Sequence, residues 1–265
     1  VNIHNKKFKW NTDFVLSYYR NYFVERDANY VLGINETQRM DVNDMWEYVV
    51  EGMIPAGNRN AGALKIKDLD GYLRDENGNI KMVNGKPAYL GAPDGKIDEA
   101  DMVYKGNSTP IPFSLNNSFE FGNFDFNIYF YGMANNWQKN RTYTLFAGAL
   151  QNVAEKGENT LKELGDRWAY DNMGSKKPSI FVNAESTAEQ RNGYYLEKAW
   201  FLRCDNVSLG YTFKPKKKCF SSLRVYASAR NLFVISPYSG ADPETDSQAA
   251  YPNARTYTCL LYTSD

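Results

Sequence analysis

The sequence predicts an all-β fold, and within that class the wall of an antiparallel transmembrane β-barrel with long loops. Three observations favour it. Aromatic residues make up 15% of the 265 residues, including 20 Tyr, and 19 Gly accompany them, which is typical of pleated surfaces and turns. Several segments alternate apolar and polar residues with a period of two, as strands with one apolar face do. The connections between these segments are alternately short and long, as in outer-membrane barrels.

The alternating segments each predict a strand. The turn at Gly122 and Asn123 divides one of them into a hairpin with an aromatic face. A turn rich in Lys and Pro, at 214–222, joins two others. In chain order, the segments are residues 8–18, 119–131, 206–213, 223–228 and, with a weaker pattern, 255–262.

Long polar segments separate the predicted strands on one side only. By parity, the short turns at Gly122 and at 214–222 are periplasmic, and the long segments 55–110, 134–198 and 236–255 are extracellular. A soluble β-sandwich stays open at this point, since a period of two does not distinguish a protein core from lipid.

Charge and residue counts weigh against other functions. Lys and Arg number 31, as do Asp and Glu, so the chain has no net charge to attract nucleic acid. No run of about 18 apolar residues predicts a transmembrane helix, and the start lacks the apolar core of a signal peptide. His4 is the sole histidine, which weighs against a zinc site or a Ser/His/Asp centre. We therefore predict that the chain is not an enzyme.

Several motifs, in order, resemble the C-terminal barrel region of SusC/RagA-type TonB-dependent outer-membrane transporters. The resemblance covers nearly the whole chain. It rests on FKWNTDFVLSYYRN, YVVEGMIPAG, DGKIDEADMVYKGNSTPIPFSLNNSFEFGNFDFNIYFYG, LGDRWAYDN, FLRCDNVSLGYTF, SSLRVYASARNLFVISPYSGADPE and YPNARTYT.

The resemblance implies a barrel of about 22 strands with a plugged lumen. Residues 1–258 would form its C-terminal part, with eight or nine strands at most. Residues 259–265, which read CLLYTSD, depart from the aromatic-ended final strand of such barrels, so we predict a non-native tail there.

The implied function is import of an oligosaccharide, or of another bulky nutrient such as a peptide, across the outer membrane of a Gram-negative cell. The implied partners are a SusD-like lipoprotein, the TonB-ExbB-ExbD complex, engaged through an N-terminal part, and outer-membrane lipid. No nucleic acid is expected. The competing hypothesis is a secreted or surface β-sandwich that binds glycans.

The acidic residues between positions 68 and 101 resemble a calcium loop interrupted by an insert, residues 72–93. Without the insert, Asp68, Asp70, Asp94, Asp98 and Asp101 would take the ligand positions, with Gly95 at the sharp turn. The alternative is a solvated acidic turn. The insert carries the turn signals Asn77-Gly78 and Asn84-Gly85, which predict a hairpin.

Two tryptophans in the long segment 134–198 are weak candidates for substrate binding. Trp137 and Trp168 are flanked by amide and carboxylate residues, as in surfaces that bind sugars. Packing within the loop is the alternative for both. Asp242 and Glu244, on either side of Pro243, are interpreted as part of a loop turn.

Overall fold

A computed structural model describes residues 2–5, 7–27, 35–36, 39–84, 86–140, 162–179, 193–214, 221–245 and 253–264. Much of the predicted loop 134–198 and residues 215–220 of the predicted Lys/Pro turn lie outside these ranges. Short 3-10 helices span Glu99–Asp101, Lys162–Asp166 and Gly193–Tyr195. The strands are β1 Ile3–His4, β2 Phe8–Leu16, β3 Asp44–Tyr48, β4 Val50–Met53, β5 Leu64–Ile66, β6 Met82–Val83, β7 Lys86–Pro87, β8 Met102–Asn107, β9 Ile111–Phe121, β10 Phe124–Ala134, β11 Trp137–Lys139, β12 Leu196–Lys198, β13 Phe201–Phe213, β14 Ser222–Ile235 and β15 Thr256–Ser264.

The chain divides into two compact units. The sheet unit comprises Val1–Tyr19, Pro110–Gln138 and Lys198–Asp265, and the loop unit comprises Arg20–Thr109 and Lys139–Glu197. Among the described residues, none of the helices has the length and apolar character needed to span a bilayer.

One antiparallel sheet carries the sheet unit. Within the described ranges it has seven strands in the order β1-β2-β9-β10-β13-β14-β15, so the strands of this sheet follow one another in chain order. The all-β, antiparallel prediction is confirmed, and every alternating segment forms a strand. The Gly122-Asn123 turn also forms as expected. Gly122 takes a φ of 59°, which suits the first position of a two-residue hairpin turn because glycine has no side chain to clash there.

The strand register separates the side chains into an apolar face and a polar face. Two rows running across six strands show this. The apolar row is Trp10, Phe119, Phe126, Leu209, Ala227 and Cys259. The neighbouring polar row is Asn11, Ser118, Asn127, Ser208, Ser228 and Thr258.

The apolar face is held together by ring contacts and yet is widely exposed. Trp10 stacks on Phe119 at 5.8 Å, and Phe119 lies 5.9 Å from Phe126. On the same face, Phe14 is 62% exposed and Leu209 is 51% exposed. Exposed apolar area of this extent on a sheet needs a non-aqueous neighbour.

A β-bulge at Asp205 changes which face the start of β13 presents. Tyr129 pairs with Asn206, while the next residue, Phe130, pairs with Cys204, so Asp205 is skipped in the register. One extra residue reverses the alternation. Arg203 therefore shares the polar face with Asn206, although simple alternation from Val207 would place it on the apolar face.

Small sheets build the loop unit. β3 pairs with β8, β4 with β5, and β6 with β7, each antiparallel. The insert 72–93 forms the predicted hairpin, closed by antiparallel bridges from Tyr72 to Tyr89 and from Arg74 to Ile80. The two tyrosine rings stack at 5.8 Å at its base.

Candidate functional site

The aspartates of the predicted calcium loop bring the two ends of the insert together. Asp68 accepts hydrogen bonds from the N–H groups of Asp94 and Gly95, at 3.3 and 2.7 Å. Oδ1 of Asp70 accepts from the N–H groups of Gly91 and Ala92, at 2.6 and 3.1 Å. The insert thus leaves and re-enters the loop at one place, which is a condition that the calcium prediction requires.

Asp101 lies at the centre of this loop and is fully buried. Its Oδ1 accepts from the N–H groups of Leu69 and Asp70, at 2.6 and 3.2 Å, and its Oδ2 accepts from the N–H of Asp98 at 2.9 Å. An ionised carboxylate is well suited to this role because it offers only acceptor positions. Asp101 therefore fixes both halves of the loop.

The same hydrogen bonds bear on the calcium prediction. The carboxylates of Asp68, Asp70, Asp98 and Asp101 each accept from backbone N–H groups. In the part of the chain that the structure describes, no three His, Cys, Asp or Glu side chains are grouped as a metal ion requires. The arrangement does not supply a ready ligand set, and the calcium site stays a prediction.

Asp98 is the carboxylate of this loop with a raised pKa. Its partial burial raises the pKa above the usual 3.8, and the nearby carboxylates of Asp101 and Asp94 act in the same direction. The N–H of Ala100 and the guanidinium of Arg74 oppose this change without reversing it. Asp98 is thus less stable in its ionised form than a free aspartate.

A pocket of about 730 Å³ opens in the loop unit. Residues 48–53, which include β4, form one wall, and Pro55 and Ala56 extend it. The rest of the lining comes from Lys105, from residues between Trp168 and Lys176, and from Gly193 and Tyr194. Its volume lies within the range of small-ligand sites.

Trp168 lines this pocket and is only 4% exposed. Its ring covers Gly62, where a Cβ atom would come within 2.4 Å of Trp168 Cε3. The N–H of Ser179 donates to the carbonyl of Gly62 at 2.7 Å, which holds the Trp168 segment against the β4–β5 hairpin. Packing therefore accounts for most of the surface of Trp168.

Trp137 belongs to the sheet unit, at the start of β11. The ammonium of Lys198 sits 5.7 Å from the centre of its ring. The flanking amides serve the protein itself, since Asn136 Nδ2 donates to the carbonyl of Ala199 at 3.0 Å and Gln138 Nε2 donates to the carbonyl of Pro243 at 2.8 Å. The two tryptophans thus belong to different units, and a substrate-binding role for either stays a prediction.

A buried charged cluster in the sheet unit was not anticipated. Arg203 Nη2 donates to Asp242 Oδ1 at 2.7 Å, and Arg203 Nε lies 3.2 Å from Glu244 Oε2. Arg203 Nη1 donates to the side-chain carbonyl of Asn231. Tyr131 completes the cluster by donating to Glu244 Oε2 at 2.7 Å. The cluster ties three strands to the GADPE turn.

Sequence reasoning missed Arg203 because the alternating segment that it recognised began only at residue 206. One signal was present: an arginine inside the strand FLRCDNVSLGYTF would be costly on the apolar face, so a charged partner or a register change was needed. The turn interpretation of Asp242 is confirmed, because its Oδ1 accepts from the N–H of Glu244 at 2.9 Å. Its buried partner was the missing part.

Known proteins share this sequence pattern and fold. No family model matches the chain. The TonB-dependent receptor SusC of Bacteroides thetaiotaomicron is 30% identical over 201 residues, which are 74% of this chain and 17% of that relative. The TonB-dependent receptor P3 of Formosa agariphila is 25% identical over 296 residues, covering 98% of this chain and 27% of its own length.

Solved structures show the same fold. The structure of the RagAB peptide transporter superposes with a TM-score of 0.65 at 21% identity, covering 98% of this chain and 28% of that chain. The RagAB peptide importer in the open-open state gives a TM-score of 0.63 at 20% identity, covering 99% of this chain and 27% of its own.

The two-faced antiparallel sheet is thus a portion of an outer-membrane β-barrel wall. The chain belongs to the SusC/RagA-type TonB-dependent outer-membrane receptors. It spans 17% of one curated relative and 28% of one solved chain that it matches. The prediction that it is not an enzyme agrees with these relatives, which are named as receptors and importers.

Proposed function

We propose that this chain forms part of the barrel wall of a receptor that imports a bulky nutrient across the outer membrane. The exposed apolar face of the seven-stranded sheet carries the proposal, since it offers lipid-facing side chains such as Phe14 and Leu209. The opposite face carries the Asn, Ser and Thr row, which suits a water-filled lumen. A soluble sandwich would bury the apolar face in a core instead.

The substrate is an oligosaccharide or another hydrophilic oligomer such as a peptide. A lumen wall of hydroxyl and amide groups offers both donors and acceptors, which either substrate can use. The names of the relatives support import of large nutrients: one is the receptor SusC, and one solved relative is called a peptide transporter.

The proposed partners are a SusD-like lipoprotein at the outer surface and the TonB-ExbB-ExbD complex. Family membership supports both. TonB contact would be made by a part of the receptor other than the residues described here. Residues 55–110 and 134–198 are proposed to be extracellular, and residues 259–265 a non-native tail. In the structure, β15 continues through residues 259–264 of that tail.

Tryptophan quenching by brominated phospholipids tests the wall. Leu209→Trp and Ser208→Trp place a new ring on adjacent residues of opposite faces. In reconstituted bilayers, the emission added by Leu209→Trp should be quenched, and that added by Ser208→Trp should not. Equal quenching at both positions, or none at either, would overturn the proposed wall.

Uptake tests the import function. Cells with and without the gene, and cells without TonB, should be compared for uptake of fluorescent oligosaccharides and peptides. We expect one of these classes to accumulate only when both the gene and TonB are present. Equal uptake in all three strains for both classes would contradict import, even if the bilayer result holds.

A further inference from the structure

The pocket of about 730 Å³ in the loop unit has a predominantly apolar interior. Its apolar lining includes Val50, Met53 and Pro55 from one stretch of the chain and Trp168 and Met173 from another. Thioether and aromatic groups give a surface that accommodates apolar groups of varied shape. The interior is therefore suited to an alkyl or aryl group.

The walls of the pocket are connected by hydrogen bonds. Besides the bond between Ser179 and Gly62, the hydroxyl of Tyr194 donates to the carbonyl of Lys176 at 2.9 Å, which links two lining segments that are distant in the chain. The N–H of Trp168 donates to the carbonyl of Lys177 at 2.8 Å. Because these links already exist without a ligand, binding would require little ordering of the chain.

Two lysines give the pocket a positive edge. Lys105 and Lys176 both line it and are exposed, and neither has an ion-pair partner among the residues that the structure describes. The Lys105 side chain lies along Gly193, where a Cβ atom would meet its Cε at 3.9 Å. The acidic residue of the lining, Glu51, is already paired with Lys65.

We propose that this pocket binds an organic carboxylate with an apolar body. The alkyl or aryl group would enter between Met53 and Met173, and the carboxylate would be held by Lys105 and Lys176. This chemistry is shared by the C-terminus of a peptide with an apolar last residue and by a free aryl or alkyl acid. The site lies entirely within the loop unit, so it does not depend on whether the barrel imports a nutrient.

Tryptophan fluorescence and calorimetry on the detergent-purified protein test this assignment. The probes are N-acetyl-leucyl-phenylalanine, its C-terminal amide, and 3-phenylpropionate. We expect at least one carboxylate to bind, and the amide to bind at least tenfold more weakly than the acid. Tighter binding of the dipeptide assigns a peptide end, whereas equal or tighter binding of 3-phenylpropionate assigns a free acid.

Matched variants locate the binding. Lys105→Met combined with Lys176→Met roughly keeps side-chain length and removes both charges. The double variant should bind the acid at least tenfold more weakly, with little change in its affinity for the amide. Lys96→Met, an exposed lysine outside the pocket, is the control and should leave affinity unchanged. The proposal would be overturned if neither acid binds, or if the dipeptide acid and its amide bind with equal affinity. It would also be overturned if the folded double variant binds the acid with full affinity.

Discussion

Arg203 and Asp242 form an ion pair of 2.7 Å between a wall strand and the turn that follows the next strand, and their side chains are only 2% and 3% exposed. The pair joins residues that are 39 positions apart. A buried charge is tolerated only when its partner is present, so the two side chains depend on each other.

Removing the guanidinium should destabilise the protein strongly. Arg203→Met leaves Asp242 buried without its cation, and we expect a loss of about 3–5 kcal/mol in the free energy of unfolding. Thermal unfolding of the detergent-purified protein measures it.

Arg224→Met is the control, because Arg224 pairs with Asp125 at the same 2.7 Å but the two side chains are 44% and 36% exposed. The control should cost less than about 1 kcal/mol. Equal losses in the two variants would contradict the role given to burial.

Asp101→Asn should loosen the acidic loop locally. The amide has one acceptor oxygen in place of two, so at least one of the three backbone N–H groups bonded to Asp101 loses its partner, at a cost of about 1–3 kcal/mol. Limited proteolysis should then cut faster between residues 68 and 101. Glu76→Gln, an exposed position in the same segment, serves as the reference. Unchanged cleavage in Asp101→Asn would show that the carboxylate does not hold the loop.

The calcium prediction is tested by the dependence of the melting temperature on the ion. If Asp68, Asp70, Asp94, Asp98 and Asp101 bind calcium, saturating ion at one hundred times Kd should stabilise the protein by about 2.7 kcal/mol. Asp70→Asn should remove that gain. Identical melting curves in calcium and in a chelator would mean that these carboxylates serve only the backbone.

The raised pKa of Asp98 predicts a pH-dependent effect of Asp98→Asn in the absence of calcium. The carboxyl of Asp98 has a higher pKa in the folded protein than the free value of 3.8. As the pH rises from 3.8 through the folded pKa, this carboxyl ionises more readily in the unfolded chain, so the free energy of unfolding falls. Asparagine keeps an acceptor for the N–H of Ala100 and carries no charge. The variant should therefore melt higher than the wild type at neutral pH, and the difference should vanish below pH 3.8. A difference that grows toward low pH would contradict the stated direction.

The sheet was predictable because alternation and turn chemistry are local properties. Trp10 and Phe119 could be assigned to the apolar face from their neighbours alone, and the glycine at position 122 indicated the hairpin. Alternation alone did not predict the bulge at Asp205. An extra residue in one strand exchanges the faces of the residues before it, but it can be inserted only where the neighbouring strand adjusts its backbone. Asn231, in the neighbouring strand, does so with a φ of 50° and accepts a hydrogen bond from Arg203.

The candidate sites were predictable only in part for the same reason. The acidic spacing could form a calcium loop only if Asp68 and Asp94 met across the insert, and they do. It could not indicate that these carboxylates would accept hydrogen bonds from backbone N–H groups, because such bonds depend on the backbone conformation of the loop. The pocket lysines 105 and 176 are far apart in the chain, and nothing in the sequence connects them.

The closed base of the insert makes this hairpin a practical attachment point. Tyr72 and Tyr89 stack where the insert leaves the loop, and Asp75 holds the tip by accepting from the N–H groups of Asn77 and Asn79, at 2.9 Å each. An epitope tag placed after Gly78 would extend from an exposed tip and leave the hydrogen bonds of Asp68 and Asp70 at the base of the insert intact. Antibody staining of intact cells would then report directly which side of the membrane this segment occupies.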